Sequence, residues 1–261
     1  MRRFNGEVAV VTGAGTGIGA AVSVALAQQG LKVALVGRRQ NKLERTASRI
    51  LDERGFCECI SADVSNHADV DRLRQVCDGL GKCVVLVNNA GVHCEMVPIS
   101  KSTPSSWIQT LSVNTIGPYL MCRHFMADMV TNGWGRIFNI SSAAAIGAPG
   151  AVGSVYQLSK VALNHFTRQV AVELKGTGVT ANAIHPGEVM TEMWAAIKAE
   201  GEQRSDENVR RWADMVKQTG GDPPEKTAEL IVDMLQEAKD EVNGKFLWIR
   251  DGLQRPRPTW D

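Results

Sequence analysis

No charge of one sign dominates this chain. Lysine and arginine number 29 against 28 aspartates and glutamates, a formal net charge of +1, so nothing electrostatic argues for a nucleic-acid or membrane partner. Apolar runs such as Val8–Val11 are far short of the roughly 20 residues a membrane span needs. The N-terminus enters a strand pattern without the apolar core of a secretory signal, and a cytoplasmic protein is expected. The six cysteines, Cys57, Cys59, Cys77, Cys83, Cys94 and Cys122, form no C-x-x-C pair, and no His-x-x-x-His partner accompanies them. The common zinc frameworks are therefore excluded, and buried free thiols in a reducing compartment are the expectation. His67, His93, His124 and His165 show no carboxylate or cysteine at ligand spacing, so no metal site is expected.

No repeat, low-complexity tract or linker interrupts the 261 residues. Short β-branched runs alternate with long amphipathic segments. Strands are expected at Glu7–Thr12, Lys32–Val36, Glu58–Ala62, Val84–Val87, Arg136–Ile140, Val179–Ile184 and Lys245–Ile249. Most are continuous apolar runs, the signature of parallel strands covered on both faces. Helices are expected at Gly17–Gln29, Arg39–Arg54, Ala68–Gly79, Ser105–Thr131, Ser154–Lys175 and Pro224–Glu237. This β-α-β rhythm predicts an α/β doubly wound parallel sheet of about seven strands with helices on both faces. Residues 190–221 break the rhythm with two helical patterns, Met190, Met193, Trp194, Ile197 and Val209, Trp212, Ala213, Val216. A helical insertion over the sheet's carboxyl edge is expected there. The tail from Arg255 to Asp261 reads as an oligomer contact or a frayed end.

Between the first strand and first helix stands Thr12-Gly13-Ala14-Gly15-Thr16-Gly17-Ile18-Gly19. Glycines there allow a tight turn and let backbone N–H groups approach a pyrophosphate at the positive end of a helix. The spacing differs from G-x-G-x-x-G, since Ile18 occupies the third glycine's place counted from Gly13. The second strand ends Val36-Gly37-Arg38-Arg39. An NAD site usually offers an acid about here for the ribose 2′-hydroxyl; Gly37 and Arg38 instead suit a 2′-phosphate. Arg39 fits a phosphate contact or a solvated helix start equally well. NADP(H) is the expected cofactor, with NAD(H) the alternative.

Tyr156-Gln-Leu-Ser-Lys160 sets a phenol and an ammonium one helical turn apart. A free tyrosine, with a pKa of about 10, is a poor proton donor at neutral pH. A neighbouring cation should stabilise the phenolate and bring that pKa toward the working range.

Together these residues resemble the short-chain dehydrogenase/reductase family over nearly the whole chain. Thr12-Gly-x-x-x-Gly17-x-Gly19 is similar to its cofactor loop, Asn88-Asn89-Ala90-Gly91 to its sheet-steadying signature, and Asp63 to its adenine-contacting acid. Tyr156-x-x-x-Lys160 resembles its catalytic pair, and Pro186-Gly187-x-Val189-x-Thr191 its nicotinamide-side loop. The resemblance implies a single Rossmann-type domain over residues 1–261, with 190–221 as a substrate lid. It implies hydride transfer between a nicotinamide and a carbonyl or secondary alcohol. Tyr156 would be the general acid or base, Lys160 would hold the ribose and depress the pKa of Tyr156, and Asn114 would support a water relay. A serine after the fifth strand would polarise the carbonyl. Ser142 is chosen because it follows the strand as the family's serine does; its spacing to Tyr156 is one residue longer than usual, which keeps Ser141 open. The implied cofactor contacts are Gly13, Gly17, Ile18, Gly19, Asp63, Asn89, Tyr156, Lys160, Val189 and Thr191, joined by Arg38 from the strand-end argument.

The substrate pocket should be walled by Ala143–Gly150, His93–Met96 and the insertion, which suits a lipophilic small molecule. Apolar residues around Ser105–Thr131 and Ser154–Lys175 exceed one-sided packing, and a homodimer or homotetramer is expected. A dinucleotide-binding protein without turnover is the competing class; its usual mark is loss of the Tyr or the Lys, and both are present. His185 is expected to pack in place. Glu188 fits substrate contact or solvent.

Overall fold

The computed structural model describes residues 4–204, 206–236 and 242–249. Seven strands form one sheet: β1 Val8–Thr12, β2 Lys32–Gly37, β3 Phe56–Ser61, β4 Cys83–Asn88, β5 Gly135–Ile140, β6 Val179–His185 and β7 Phe246–Trp248. Their order is β3-β2-β1-β4-β5-β6-β7, and every ladder is parallel. β1, β4, β5 and β6 are buried along their whole length, as their continuous apolar runs require. β3 departs from that expectation: Phe56, Glu58 and Ser61 are exposed and Ile60 is buried, because this strand is the sheet's outer edge and solvent reaches it.

Alternate side chains leave the sheet on opposite faces. Ala9 and Val11 join one core with Leu26 of α1 (Gly17–Gln28), Leu43 of α2 (Gln40–Asp52) and Ile231 of α9 (Glu225–Met234). Val8 and Val10 join the other with Leu73 of α3 (His67–Leu80), Phe125 of α5 (Gly117–Thr131) and Val170 near the end of α6 (Ser154–Glu173). Apart from Ala9, each of these side chains contributes roughly 1.5–3 kcal/mol on burial, so two packed faces hold the strand ends where the site is built.

The strand order places that site. From β1 the chain runs outward to β3, then returns to β4 on β1's other side. Loops leaving β1 and β4 therefore diverge, opening the crevice at the carboxyl edge where doubly wound sheets take ligands.

The long helix expected at Ser105–Thr131 is three elements: α4 (Pro104–Leu111), a π-helical turn (Ser112–Ile116) and α5. Five residues of apolar spacing do not distinguish the wider turn from an ordinary one. The insertion forms α7 (Glu192–Arg204) and α8 (Glu207–Thr219). Val209, Ala213 and Val216 are buried as their period predicts, whereas α7 buries Gly201 alone. Any side chain on Gly201 would collide with Val209, so this glycine sets the close packing of the two helices. No described helix is long and apolar enough to cross a membrane. Glu237 and the tail from Arg255 lie outside the described residues.

Candidate active site

Thr12 ends β1, and the chain turns through Gly13 (φ 65°) and Gly17 (φ 52°), left-handed conformations that glycine adopts without strain. Thr16, the N-cap of α1, makes no side-chain cap hydrogen bond. The first-turn N–H groups of α1 lack intrahelical acceptors and carry the helix's partial positive charge toward the crevice. A Cβ on Gly19 would collide with Gly13 O and approach Asn89 Nδ2 to 2.5 Å, so no larger residue fits behind the loop.

Asn89, leaving β4, fastens that loop. Its Nδ2 donates to Thr12 O at 2.9 Å and Gly13 O at 3.2 Å. Asn89 N and Ala90 N both donate to Thr12 Oγ1, each at 3.0 Å. Asn89→Ala should cost about 1–2 kcal/mol of stability through the two lost hydrogen bonds, and dinucleotide affinity should fall about tenfold as the loop loosens. Thermal melts and equilibrium binding check this; an unchanged affinity would mean the loop holds itself.

A cleft of about 280 Å³ runs along this seam. Of the expected cofactor residues, Gly13, Gly17, Ile18, Arg38, Asp63, Asn89, Lys160 and Thr191 line it. Gly19 supports the loop from behind. Val189 O accepts from Thr191 N at 2.8 Å, the bend that turns Thr191 toward Gly17. Asp63 Oδ1 accepts from Ser65 N at 2.9 Å and Ser65 Oγ at 2.6 Å. Arg38 Nη1 stands 3.8 Å from Asp63 Oδ2, its side chain largely exposed.

At the inner end of the cleft Lys160 of α6 is buried; Tyr156, one turn earlier on the same helix, is half-buried as a residue, with its phenol group desolvated. Lys160 Nζ donates to Ile140 O at 2.9 Å and sits 5.7 Å from the Tyr156 ring centroid. A Cβ on Gly91 would lie 3.8 Å from Lys160 Nζ and 3.4 Å from Asn114 Oδ1, so the β4 loop closes against both. Asn114 is buried in the π-turn: Oδ1 accepts from Val92 N at 2.9 Å, and Nδ2 donates to Val92 O at 2.9 Å and Ser159 Oγ at 3.0 Å. The widened turn carries an asparagine that pins the β4 loop to α6, consistent with the recurrence of π-bulges at functional sites.

The two serines separate cleanly. Ser141 is buried and donates to Asn164 Oδ1 at 2.6 Å. Ser142 caps the short turn Ala143–Ala145, accepting from Ala144 N at 3.1 Å, and hydrogen-bonds the Tyr156 hydroxyl. His185, buried, accepts from Ala143 N on Nδ1 at 3.1 Å. It orients the turn that carries Ser142.

One expectation is corrected. Burial pushes the Tyr156 phenol up to about 12; the Ser142 hydrogen bond works in the lowering direction. Burial also brings the Lys160 ammonium down to about 8. The lysine's own charge is thus disfavoured in this dry site, its hydrogen bond goes to a carbonyl, and the phenol is not made acidic. In this state Tyr156 is a neutral hydroxyl that holds its proton.

Several contacts at the site escaped sequence reasoning. Glu188 is tied to the helical insertion: Oε2 accepts from Trp212 Nε1 at 3.1 Å, and Glu188 N donates to Asp222 Oδ2 at 3.0 Å. Its charge reinforces the upward shift of Tyr156. Glu200 of α7 accepts from Met96 N at 2.9 Å, fastening the insertion to the loop after β4. The expectation that His67 and His124 lack a carboxylate also fails. Asp71 lies 2.9 Å from His67 Nδ1 and 3.2 Å from His124 Nε2; the first partner was readable as an i,i+4 pair, the second arises from α3 meeting α5.

A switch-point crevice, a glycine turn with open helix N–H groups and cations at its mouth fit a dinucleotide's phosphates, so fold and site define a Rossmann-type dinucleotide-binding protein. Comparison with known proteins sharpens this. The family model for short chain dehydrogenases matches residues 7–202, and the chain belongs to that family. It is 35% identical over 201 residues to an uncharacterized oxidoreductase of Thermotoga maritima, covering 75% of this chain and 77% of the relative. It is 29% identical to a 3-oxoacyl-[acyl-carrier-protein] reductase of Aquifex aeolicus, covering 96% and 98%. Among solved structures, a metagenomic short-chain oxidoreductase in complex with NADP is 30% identical with a TM-score of 0.75, over 92% of this chain and 96% of the other. Actinorhodin polyketide ketoreductase with NADPH is 26% identical with a TM-score of 0.84, over 93% and 95%. The protein is an NAD(P)-dependent oxidoreductase acting on alcohol and carbonyl groups.

Proposed function

We propose an NADP(H)-dependent enzyme that interconverts a ketone and a secondary alcohol on a lipophilic substrate, with Tyr156 as general acid and base. The observation that carries this reading is the desolvated Tyr156 hydroxyl, hydrogen-bonded to Ser142, one helical turn from Lys160, which lines the inner end of the cleft. The bound dinucleotide supplies the hydride chemistry; the chain supplies orientation and the proton. In reduction Tyr156 passes its hydroxyl proton to the carbonyl oxygen, which Ser142 polarises by hydrogen bonding. The phenolate left behind is held by the Ser142 hydrogen bond, the interaction that works in the pKa-lowering direction, while Lys160 holds the nicotinamide ribose. Asn114 keeps Lys160 and the β4 loop in register. In oxidation the proton returns by the same route.

The cofactor residues in this reading are Gly13, Gly17, Ile18 and Gly19 at the phosphates, Asp63 and Asn89 toward the adenosine, and Lys160, Val189 and Thr191 toward the nicotinamide. NADP(H) is favoured because Gly37 leaves space and Arg38 stands at the mouth, and because relatives were solved with NADP and NADPH. Arg38→Ala should weaken NADPH binding by roughly ten- to a hundredfold, the equivalent of one charge-assisted hydrogen bond of about 1.5–3 kcal/mol, with little change for NADH. Thermal shifts with both at equal concentration read the preference. A larger shift with NADH would support the alternative, an NAD-linked enzyme whose Arg38 serves Asp63, 3.8 Å away.

Val92 and Met193 on the cleft wall and the alanine turn after Ser142 favour a ring- or chain-bearing ketone, as do relatives named polyketide ketoreductase and 3-oxoacyl-[acyl-carrier-protein] reductase. A carbonyl panel followed by NADPH consumption tests it. We read the whole chain as one domain with 190–221 as substrate lid, in a cytoplasmic homodimer or homotetramer. Ile108, Ile116, Tyr119, Leu158 and Val172 are exposed on α4, the π-turn, α5 and α6, the apolar surface such an assembly would cover. A monomeric sedimentation profile at micromolar concentration would contradict the assembly.

A further inference from the structure

At the mouth of the cleft an acid of the lid already occupies the cations that an anionic ligand needs. Glu192, first residue of α7, spends each carboxylate oxygen on a different base of the opposite wall. Oε2 accepts from Arg39 Nη2 at 2.7 Å and Oε1 from Lys42 Nζ at 3.0 Å. The two walls are 150 and more residues apart in the chain, so local sequence does not enforce the contact. Its place over the glycine loop follows from two close approaches. A Cβ on Gly15 would meet Lys42 Cβ at 2.8 Å, and a Cβ on Gly17 would meet Thr191 Cγ2 at 3.0 Å. The Lys42–Glu192 bridge therefore spans the stretch Gly15-Thr16-Gly17, where the open N–H groups of α1 await phosphate. Arg39, Lys42 and Glu192 all line the cleft, and the two cations hold the Glu192 carboxyl below its ordinary range.

We infer that Glu192 is a resident competitor for the dinucleotide's phosphates: a specificity-determining residue that occupies Arg39 and Lys42 when the cleft is free and must release them when the cofactor binds. The inference rests on the dinucleotide reading of the cleft. A dinucleotide brings negative charge beneath the bridge, which attracts Arg39 and Lys42 and repels Glu192. The 2′-phosphate adds further charge on the side of the strand-end arginines, so the competition bears more heavily on NADPH than on NADH. Glu192 thus lowers affinity and moderates the preference that Arg38 sets, and it couples the first turn of the lid to the state of the cofactor site.

The test is equilibrium binding of NADPH and of NADH to the full-length wild type and to Glu192→Gln, at low and high salt. Exposed ion pairs are worth about 0.2–1 kcal/mol each, so relief of two predicts NADPH binding roughly three- to tenfold tighter in the variant. NADH should gain less, and the gain should shrink at about 1 M salt, where screening is strong. Adding Arg39→Gln should abolish most of the gain, because the effect acts through that guanidinium. Equal affinity for wild type and Glu192→Gln, or weaker NADPH binding by the variant, overturns the inference while leaving the cofactor reading intact; the latter result would make Glu192 a clasp that retains the ligand. Absence of binding by either dinucleotide to wild type overturns the cofactor reading and this inference with it.

Discussion

Tyr156→Phe is expected to lower kcat for NADPH-driven ketone reduction by about 10²–10⁴-fold, the range over which positioned general acids act. The variant removes one oxygen, and with it both the proton donor and the Ser142 partner. Packing of the ring on α6 is retained, and the phosphate-binding loop lies elsewhere. The dissociation constant for NADPH should therefore move by no more than about twofold, placing the loss in the chemical step rather than in binding. Single-turnover rates with pre-bound NADPH separate the two. A variant as fast as wild type would remove Tyr156 from the mechanism.

Lys160→Met should give a protein that is more stable and nearly inactive. Buried, the ammonium has its pKa lowered from 10.5 to about 8, so the folded protein binds fewer protons than the unfolded chain between those values. Stability rises with pH where the unfolded state binds more protons. The lysine's cost is therefore full below pH 8 and is relieved as pH climbs through that window. The shift corresponds to about 3 kcal/mol. Loss of the hydrogen bond to Ile140 O offsets about 1 kcal/mol, leaving a net gain of about 2 kcal/mol near pH 7. Urea melts at neutral pH and near pH 10 should show the advantage at the first and little at the second. Turnover should fall at least about 100-fold, since the group that would hold and orient the nicotinamide ribose is gone. A variant less stable than wild type at neutral pH would show that the amine is not desolvated.

The sheet was legible because its strands are covered on both faces, and continuous apolar runs record that directly. Where solvent reaches the outer edge, at β3, the record becomes an alternation and boundaries shift by about two residues. The glycine loop and the Tyr156–Lys160 spacing were legible because each is local: a turn requiring positive φ, and two residues on one helical face. What sequence did not reveal depends on chain segments meeting from far apart. Ser142 rather than Ser141 reaches the phenol because the short turn after β5, anchored by His185, aims it there. The direction of the tyrosine's shift is set by desolvation of its phenol, to which distant segments contribute, and not by the cation four residues away. Glu188 reads in sequence as a substrate contact or a solvated acid and Glu192 carries no signal there, because their partners, Trp212, Arg39 and Lys42, come from other elements. Asp71 meets His124 only because α3 packs on α5. The π-turn at Asn114 leaves no periodic trace in five residues.

Tyr156 waits as a desolvated, neutral, proton-holding hydroxyl. The chain has two tyrosines, so Tyr119→Phe leaves Tyr156 as its sole phenol, and ultraviolet difference absorbance then reads its ionisation directly. Near pH 10.5 an unfolded reference with an ordinary tyrosine is about three-quarters ionised, whereas the folded protein should show only a few per cent, the consequence of a pKa near 12. A folded sample ionised to the same extent as the unfolded one would show that the phenol is freely solvated and gives up its proton like any other.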